Sequence, residues 1–402
     1  MKVPLASSGL RDSDIETVMR VLASGNLTMG KEVKNFESKM ADYLKVKHFV
    51  MVNSGSSANL LMVEALLRPT LSRARLNPGD SVLVPAVAWP TTIWPLIQLG
   101  LNPLFVDVDI DTLAIDLVAA QNLIDTSRIP VRGIFPIHPL GKSIDPSKLA
   151  EFANKNDLVL INDACEALGS WSEGKHAGTE GIAGSYSFYF SHHITTMEGG
   201  GISTNSDEFA DDLRSMRSHG WSRDRSDVES WTAKKSSNDA KFLFVSTGYN
   251  VRPMEIQAAI GSNQIELVDS FISRRREIAT KVHERLQGKN LQIIGGDSLK
   301  KDPRSHSWML IPLIVLGDDA ARRKEFIVER LERNGIETRP ILTGNFLSQP
   351  AIQRITRHAV DPKAFRVADR VTTDAFMVGA HHDLTDEQIH FLCDSLEAVS
   401  DI

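Results

Sequence analysis

The sequence predicts an α/β protein built on a mostly parallel β-sheet with helices on both faces. Short apolar runs of strand length alternate with helix-patterned segments through the first half of the chain, the order that crossovers between parallel strands produce. The run Leu158-Val159-Leu160-Ile161 is apolar throughout, as a strand inside such a sheet is. Polar or glycine-rich residues follow the runs, at the carboxyl ends where open α/β sheets bind their ligands.

Composition bounds the function. The 402 residues leave room for two domains. A hydrophobic content of 42% with 24% charged residues is that of a globular enzyme. The net charge of −6 offers no basic patch for nucleic acid. No apolar run approaches the ~20 residues of a membrane helix, and the start, MKVPLASSGLRDSDIETVMRVL, has no apolar signal core. Cys165 and Cys393 suggest no disulfide framework. A cytoplasmic protein is expected.

In chain order, residues 12–24 read as a helix with Ile15, Val18, Met19, Val21 and Leu22 on one apolar face. The turn SGNLTMG precedes a second helix, Glu32 to Leu44. A strand at 48–52 runs into Asn53-Ser54-Gly55-Ser56-Ser57 and then a helix from Ala58 to Leu67. Strand, Gly/Ser turn and helix in that order suit an anion: free amides face it and the helix dipole favours it. An ordinary capped turn fits the same residues. Further strands are expected at 81–85, 103–107, 133–137 and 158–163, with a helix at 146–154. Their ends carry Pro85-Ala86-Val87-Ala88-Trp89, Asp107-Val108-Asp109, His138-Pro139-Leu140-Gly141 and Asp163-Ala164-Cys165-Glu166.

The chain turns on Ser185 to Thr204, SYSFYFSHHITTMEGGGIST. Tyr186 to Phe190 read as a strand. Gly199-Gly200-Gly201 read as a tight reversal, and between them a polar loop carries His192 and His193. After a helix at 207–216, residues 218–242 are polar and poorly periodic, and read as a mobile excursion at the substrate entrance. A long helix, about 254–287, bridges into a second domain. Strands at 307–315 and 338–341 and helices at 319–334, 364–375 and 386–399 are expected there. Thr385 and Gln388 form a capping box for the last helix. The predicted domains are 1–253 and 254–402.

The segment SFYFSHHITTMEGG resembles the active-site segment of the DegT/DnrJ/EryC1/StrS sugar aminotransferases. That resemblance implies the fold of type I pyridoxal 5′-phosphate (PLP) enzymes: a large domain with a seven-stranded, mostly parallel sheet and a smaller C-terminal α/β domain. Five residues after the strand serine the family places the lysine that holds the cofactor covalently; here Ser187 plus five is His192. An imidazole forms no stable Schiff base, yet it moves protons near neutrality. The exchange therefore implies the sugar 3-dehydratase subgroup, with PLP or pyridoxamine phosphate (PMP) held non-covalently and His192 as proton carrier. Its redox-neutral branch acts on GDP-4-keto-6-deoxymannose; an iron-sulfur branch acts on a CDP-hexose. Two cysteines cannot supply the four ligands of an all-cysteine cluster, so no iron-sulfur cluster and no metal is expected.

The resemblance also implies the site. Gly55, Ser56 and Ser57 take the cofactor phosphate, Trp89 stacks on its ring, and Asp163 faces its pyridine nitrogen, with Glu166 and Ser187 beside it. From the residues alone, Asp163 is also readable, as the lesser alternative, as a helix cap, and Trp89 nearly as well as a core residue. Gly248-Tyr249-Asn250-Val251-Arg252 resembles the GYN-x-R motif, whose Asn250 reaches the phosphate of a partner subunit, implying a homodimer with shared sites. Arg252, His306, Arg339, Asn345 and Phe346 are substrate contacts by resemblance, while His193 stands open between binding substrate, orienting His192 and capping the loop. The expected substrates are a nucleotide-linked 4-keto-6-deoxyhexose and L-glutamate. Three other readings stand beside this one: an aminotransferase using another lysine, such as Lys175, a catalytically silent protein of the same fold, and another deoxysugar elimination on that fold with a different nucleotide or sugar stereochemistry.

Overall fold

The computed structural model describes residues 1–70, 72, 75–355 and 361–401. The strands, in chain order, are β1 (His48–Val52), β2 (Ser81–Pro85), β3 (Asn102–Val106), β4 (Val131–Ile134), β5 (Val159–Asp163), β6 (Trp171–Ser172), β7 (Lys175–His176), β8 (Ala183–Ser187), β9 (Gly200–Thr204), β10 (Leu291–Ile293), β11 (Leu310–Val315), β12 (Thr338–Arg339) and β13 (Ala375–Gly379).

Seven of them form one sheet in the order β1-β9-β8-β5-β4-β2-β3. Only β9 runs against its neighbours β1 and β8; the other pairings are parallel. Apolar strands and crossover helices thus build the expected doubly covered sheet. Val50, Val52, Val82, Val84 and Ile161 enter one core with the helix Gly55–Leu67, while Leu83, Ile134 and Leu160 enter another with the helix Pro146–Lys155. β6 and β7 form a separate hairpin.

The second sheet, β10-β11-β13-β12, is antiparallel. The helix Glu255–Arg285 links the sheets: at 31 residues it extends about 45 Å. Its first residue, Glu255, accepts hydrogen bonds from the amides of Gly30, Glu32 and Val33 at 2.7–2.9 Å, a buried carboxylate at the start of the helix Lys31–Leu44. Val3 pairs in parallel with Ile336 and belongs to the core of the second sheet, so the chain's first residues pack with its last third.

Some local expectations give way to tertiary structure. β8 ends at Ser187, and Tyr189 and Phe190 are exposed. Gly200 and Gly201 lie inside β9 and make no reversal. Their need is room: a Cβ at Gly200 would stand 2.4 Å from the Ser54 carbonyl carbon, and one at Gly201 2.2 Å from Phe49 Cζ. The helix Asp12–Ser24 forms, but Ile15, Met19 and Leu22 of its apolar face point outward, 48–62% exposed. The polar excursion contains the short helix Val228–Thr232 and is pinned by buried Arg225, paired with Asp212 at 2.9 Å and Asp227 at 2.7 Å. β10 and β13 were not expected from sequence, and the chain continues into β13 directly from the helix Arg366–Asp374. The Thr385–Gln388 capping box is formed.

Candidate active site

The carboxyl ends of β1, β2, β5 and β8 converge on one place, and the loops that leave them carry its chemistry. After β1, Ser54 takes extended backbone and its Oγ accepts the Ser57 amide at 3.1 Å, capping the helix Gly55–Leu67. The first amides of that helix have no intrahelical partner, and Ser56 is exposed. The cradle is tight: a Cβ on Gly55 would meet Ser187 Cβ at 2.7 Å and Cys165 Sγ at 3.0 Å. Gly55 therefore lies directly against the ends of β8 and β5.

Asp163 ends β5 and is 4% exposed. One carboxylate oxygen accepts from Asn59 Nδ2 at 2.8 Å and Thr92 Oγ1 at 2.7 Å; the other accepts the Cys165 amide at 3.1 Å. Asn59 and Thr92, which sequence reading missed, hold the carboxylate in one orientation, with no ion-pair partner among the described residues. Three residues on, Glu166 accepts the Leu140 amide at 2.8 Å. Burial, reinforced by Asp163, raises its carboxyl to about 7 against the opposing pull of that amide. Burial likewise pushes the neighbouring Cys165 thiol up.

After β2, Trp89 is 53% exposed, so it is a free aromatic face and not a core residue. The segment around it is held by the second sheet's loop: Phe346 N donates to Ala86 O at 2.8 Å and Thr343 Oγ1 to Ala88 O at 2.8 Å.

After β8 the loop turns through a Tyr189 O to His192 N–H bond of 2.9 Å. Tyr189 meets the His192 ring edge-on at 6.1 Å. His192 Nδ1 is buried without a protein partner, which leaves Nε2 as the accessible nitrogen. Burial, then the positive charge of Arg275, lowers the imidazole to about 4, so it is neutral at physiological pH. Arg275 is itself 1% exposed, lies on the long helix, and donates to the carbonyls of His192 at 3.3 Å and Met309 at 2.7 Å. It ties the histidine loop to β11. His193 is fully buried and kept neutral by burial and Arg275.

The other sequence-derived residues fall in different places. Asn250 is exposed, accepts from Arg252 Nε at 2.9 Å, and neighbours Val251, whose carbonyl accepts the Asn53 amide. Arg339 is exposed beside Lys2 and Glu337 in a groove at the edge of the second sheet. His306 is buried and stacked on Trp308 at 3.6 Å. Asn345 spends its amide on Asp369 at 2.7 Å, Pro362 and the Leu347 amide. Phe346 is fully buried between Trp94 and Phe105. These three are structural in this fold and present no side chain to a ligand. Lys175 lies on the β6–β7 hairpin and pairs with Glu180 at 3.3 Å. Among the described residues no group of side chains could hold a metal.

A capped helix N-terminus, an oriented carboxylate and an exposed aromatic face around Ser187 fit PLP, whose phosphate, pyridine nitrogen and ring need those three things. The comparisons agree. A GDP-4-keto-6-deoxy-D-mannose 3-dehydratase of Yersinia pseudotuberculosis is 36% identical over 396 residues, 98% of each chain. The E. coli GDP-4-keto-6-deoxy-D-mannose-3-dehydratase with bound hydrated PLP superposes with a TM-score of 0.88 at 35% identity, over 98% of this chain and 99% of that one. A GDP-4-keto-6-deoxymannose-3-dehydratase with a trapped PLP-glutamate geminal diamine gives 0.89 at 35% identity, over 98% and 100%. Residues 9–397 match the DegT/DnrJ/EryC1/StrS aminotransferase family, and the chain belongs to it.

Proposed function

We propose that this protein is a PLP/PMP-dependent 3-dehydratase. It removes the 3-hydroxyl of a nucleotide-linked 4-keto-6-deoxyhexose, with GDP-4-keto-6-deoxymannose the preferred candidate, and releases a 4-keto-3,6-dideoxysugar. L-Glutamate supplies the amino group, which leaves as ammonia. The observation that carries this reading is a cradle complete for the cofactor with His192, not lysine, at the loop position after Ser187.

When bound, the cofactor supplies the electron sink and carries the amino group from glutamate. The protein's residues do the rest. The amides of Gly55 and Ser56 with the Ser57 hydroxyl would hold the phosphate, Trp89 would cover the ring, and Asp163, fixed by Asn59 and Thr92, would face the pyridine nitrogen. Ser187 and Glu166 flank it; raised to about 7, Glu166 can carry a proton at neutral pH. His192 Nε2 takes a proton from carbon and delivers one to the departing hydroxyl, which leaves as water. A lysine there would tether the cofactor and let amino transfer to the sugar compete. Arg252 and Arg339, which reach the surface, are retained as substrate contacts, whereas His193 is buried behind His192.

We further propose a homodimer that shares its sites and works in the cytoplasm. The apolar residues Ile15, Met19 and Leu22, with Leu27 and Met254 nearby in one bridged pair of segments, are exposed on the single chain. Asn250 is exposed at the next loop, free to reach a partner's phosphate. No helix among the described residues is long and apolar enough to cross a membrane.

The test is spectroscopic. Protein loaded with PLP should bind it without a borohydride-reducible lysine adduct and convert it to PMP on addition of L-glutamate. A reducible adduct would restore the aminotransferase reading, and no response to glutamate the silent one.

A further inference from the structure

Behind His192 lies a small, partly open cavity lined by the histidine loop, Ser7 and Gly9 of the N-terminal segment, the long helix and the segment after β13. About 10 Å³ is open to the centre of a water, room for one molecule. Its walls are unusual in one respect. His192 Nδ1, both ring nitrogens of His382, Gln264 Oε1 and Arg275 Nε are buried among its lining residues with no hydrogen bond to protein, while His193 and His381 each reach one backbone group, at Ser307 and Pro4. Buried polar atoms are normally partnered, by protein or by ordered water; so dense a cluster around one polar cavity marks a water site. Gln264 is held in place through its amide, which donates to Gly9 O at 2.9 Å and Asp14 Oδ2 at 2.6 Å. Its oxygen is thereby left over.

The cavity also has an outlet. His382 stacks on Phe271 at 3.8 Å and places Nε2 3.6 Å from Asp383 Oδ1. The Asp383 side chain is 45% exposed and accepts from Ser7 Oγ. Groups that can hold or pass a proton therefore run from His192, through the cavity, to the surface.

We propose that His381, His382 and Asp383, with water in this cavity, form a proton relay between His192 and solvent. Resting on the dehydratase reading, the relay has a defined task. Glutamate arrives as an ammonium; one N–H bond must break before the nitrogen electron pair can attack a carbonyl. That proton passes from His192 through the cavity water and His382 to Asp383 and bulk water. At the end of the cycle departing ammonia takes one back by the same route, so protons balance and no oxidant or reductant is needed. The relay residues act through His192 and touch no substrate. The charges facing them are Arg275 and Arg11, which disfavour imidazolium, and Asp383 and Glu337, which favour it. Burial, before any of these charges, lowers both imidazoles to about 4, so they are neutral at rest, ready to accept a proton in passing.

The test uses His382→Asn and the exposed Asp383→Asn in the full-length holoenzyme. Conversion of PLP to PMP by L-glutamate should slow about tenfold or more in each, and added imidazole should restore it. A rate equal to wild type, or a loss that imidazole does not restore, overturns the relay, since a merely structural defect has no reason to respond to a small base. In the cofactor-free protein, histidine-labelled NMR follows the path without turnover: exchange of the His192 ring N–H with water should slow about tenfold in His382→Asn, and an unchanged rate contradicts the proposal. If wild-type protein ignores glutamate the function falls, while the exchange comparison still decides the path.

Discussion

Asn59 and Asp163, 104 residues apart, are joined by a 2.8 Å hydrogen bond from the amide to the carboxylate, buried at the ends of two neighbouring segments. Thr92 donates to the same oxygen at 2.7 Å. The carboxylate is thus held as an acceptor and aimed before any cofactor arrives. Asp163→Asn should lower turnover by about 100-fold or more, with PLP affinity reduced less. Asn59→Leu, which removes one donor to a buried carboxylate, should cost about 1–3 kcal/mol of stability. Steady-state rates and thermal melts check both.

Gly55 tests the cradle. Its Cα lies against Ser187 and Cys165 with no space for a methyl. Gly55→Ala should push the start of the helix away from β8, destabilise the fold by about 1–3 kcal/mol, and weaken PLP binding. A PLP titration by absorbance reads the second effect directly.

Glu166 should leave a pH signature in the cofactor-free protein. Its folded carboxyl sits at about 7, raised by burial, against an ordinary value of 4.5. The folded state therefore binds this proton more tightly than the unfolded state does. The stabilisation is complete below about 4.5 and is lost as pH rises through 7. Wild type should lose melting temperature relative to Glu166→Gln across that window, by on the order of 2 °C; parallel curves would contradict it.

His192 should show the opposite displacement. Burial and Arg275 hold it at about 4, so it remains a competent base well below the ordinary imidazole range. The acidic limb of kcat/KM assigned to His192 should lie below pH 6, and comparison with His192→Asn, expected to be about 100-fold or more slower, identifies it.

Much of this was legible in the sequence because it is locally encoded. Apolar runs mark β1 and β2 to the residue, and the helix expected from Ala58 begins at Gly55, three residues earlier, capped by Ser54. The cofactor cradle follows, because strand ends and their first loop residues place it. What was not legible depends on partners distant in sequence. β13 pairs with β11 across more than sixty residues and follows a helix without a turn signal. Arg275 sits among Arg274 and Arg276 in a charged helical stretch that reads as solvated, yet only it is buried. His381 and His382 read as loop residues until the fold sets them behind His192. The outward apolar face of the first helix looked like core because sequence periodicity does not say which surface, own chain or partner, will cover it.

Product analysis tests the central claim most directly. The protein, PLP, L-glutamate and GDP-4-keto-6-deoxymannose are combined, and the nucleotide sugar is identified by mass spectrometry with ammonia measured in parallel. Ammonia release with a sugar that has lost its 3-oxygen and kept its 4-keto group is the predicted result. A 4-amino sugar with the 3-hydroxyl intact would contradict it.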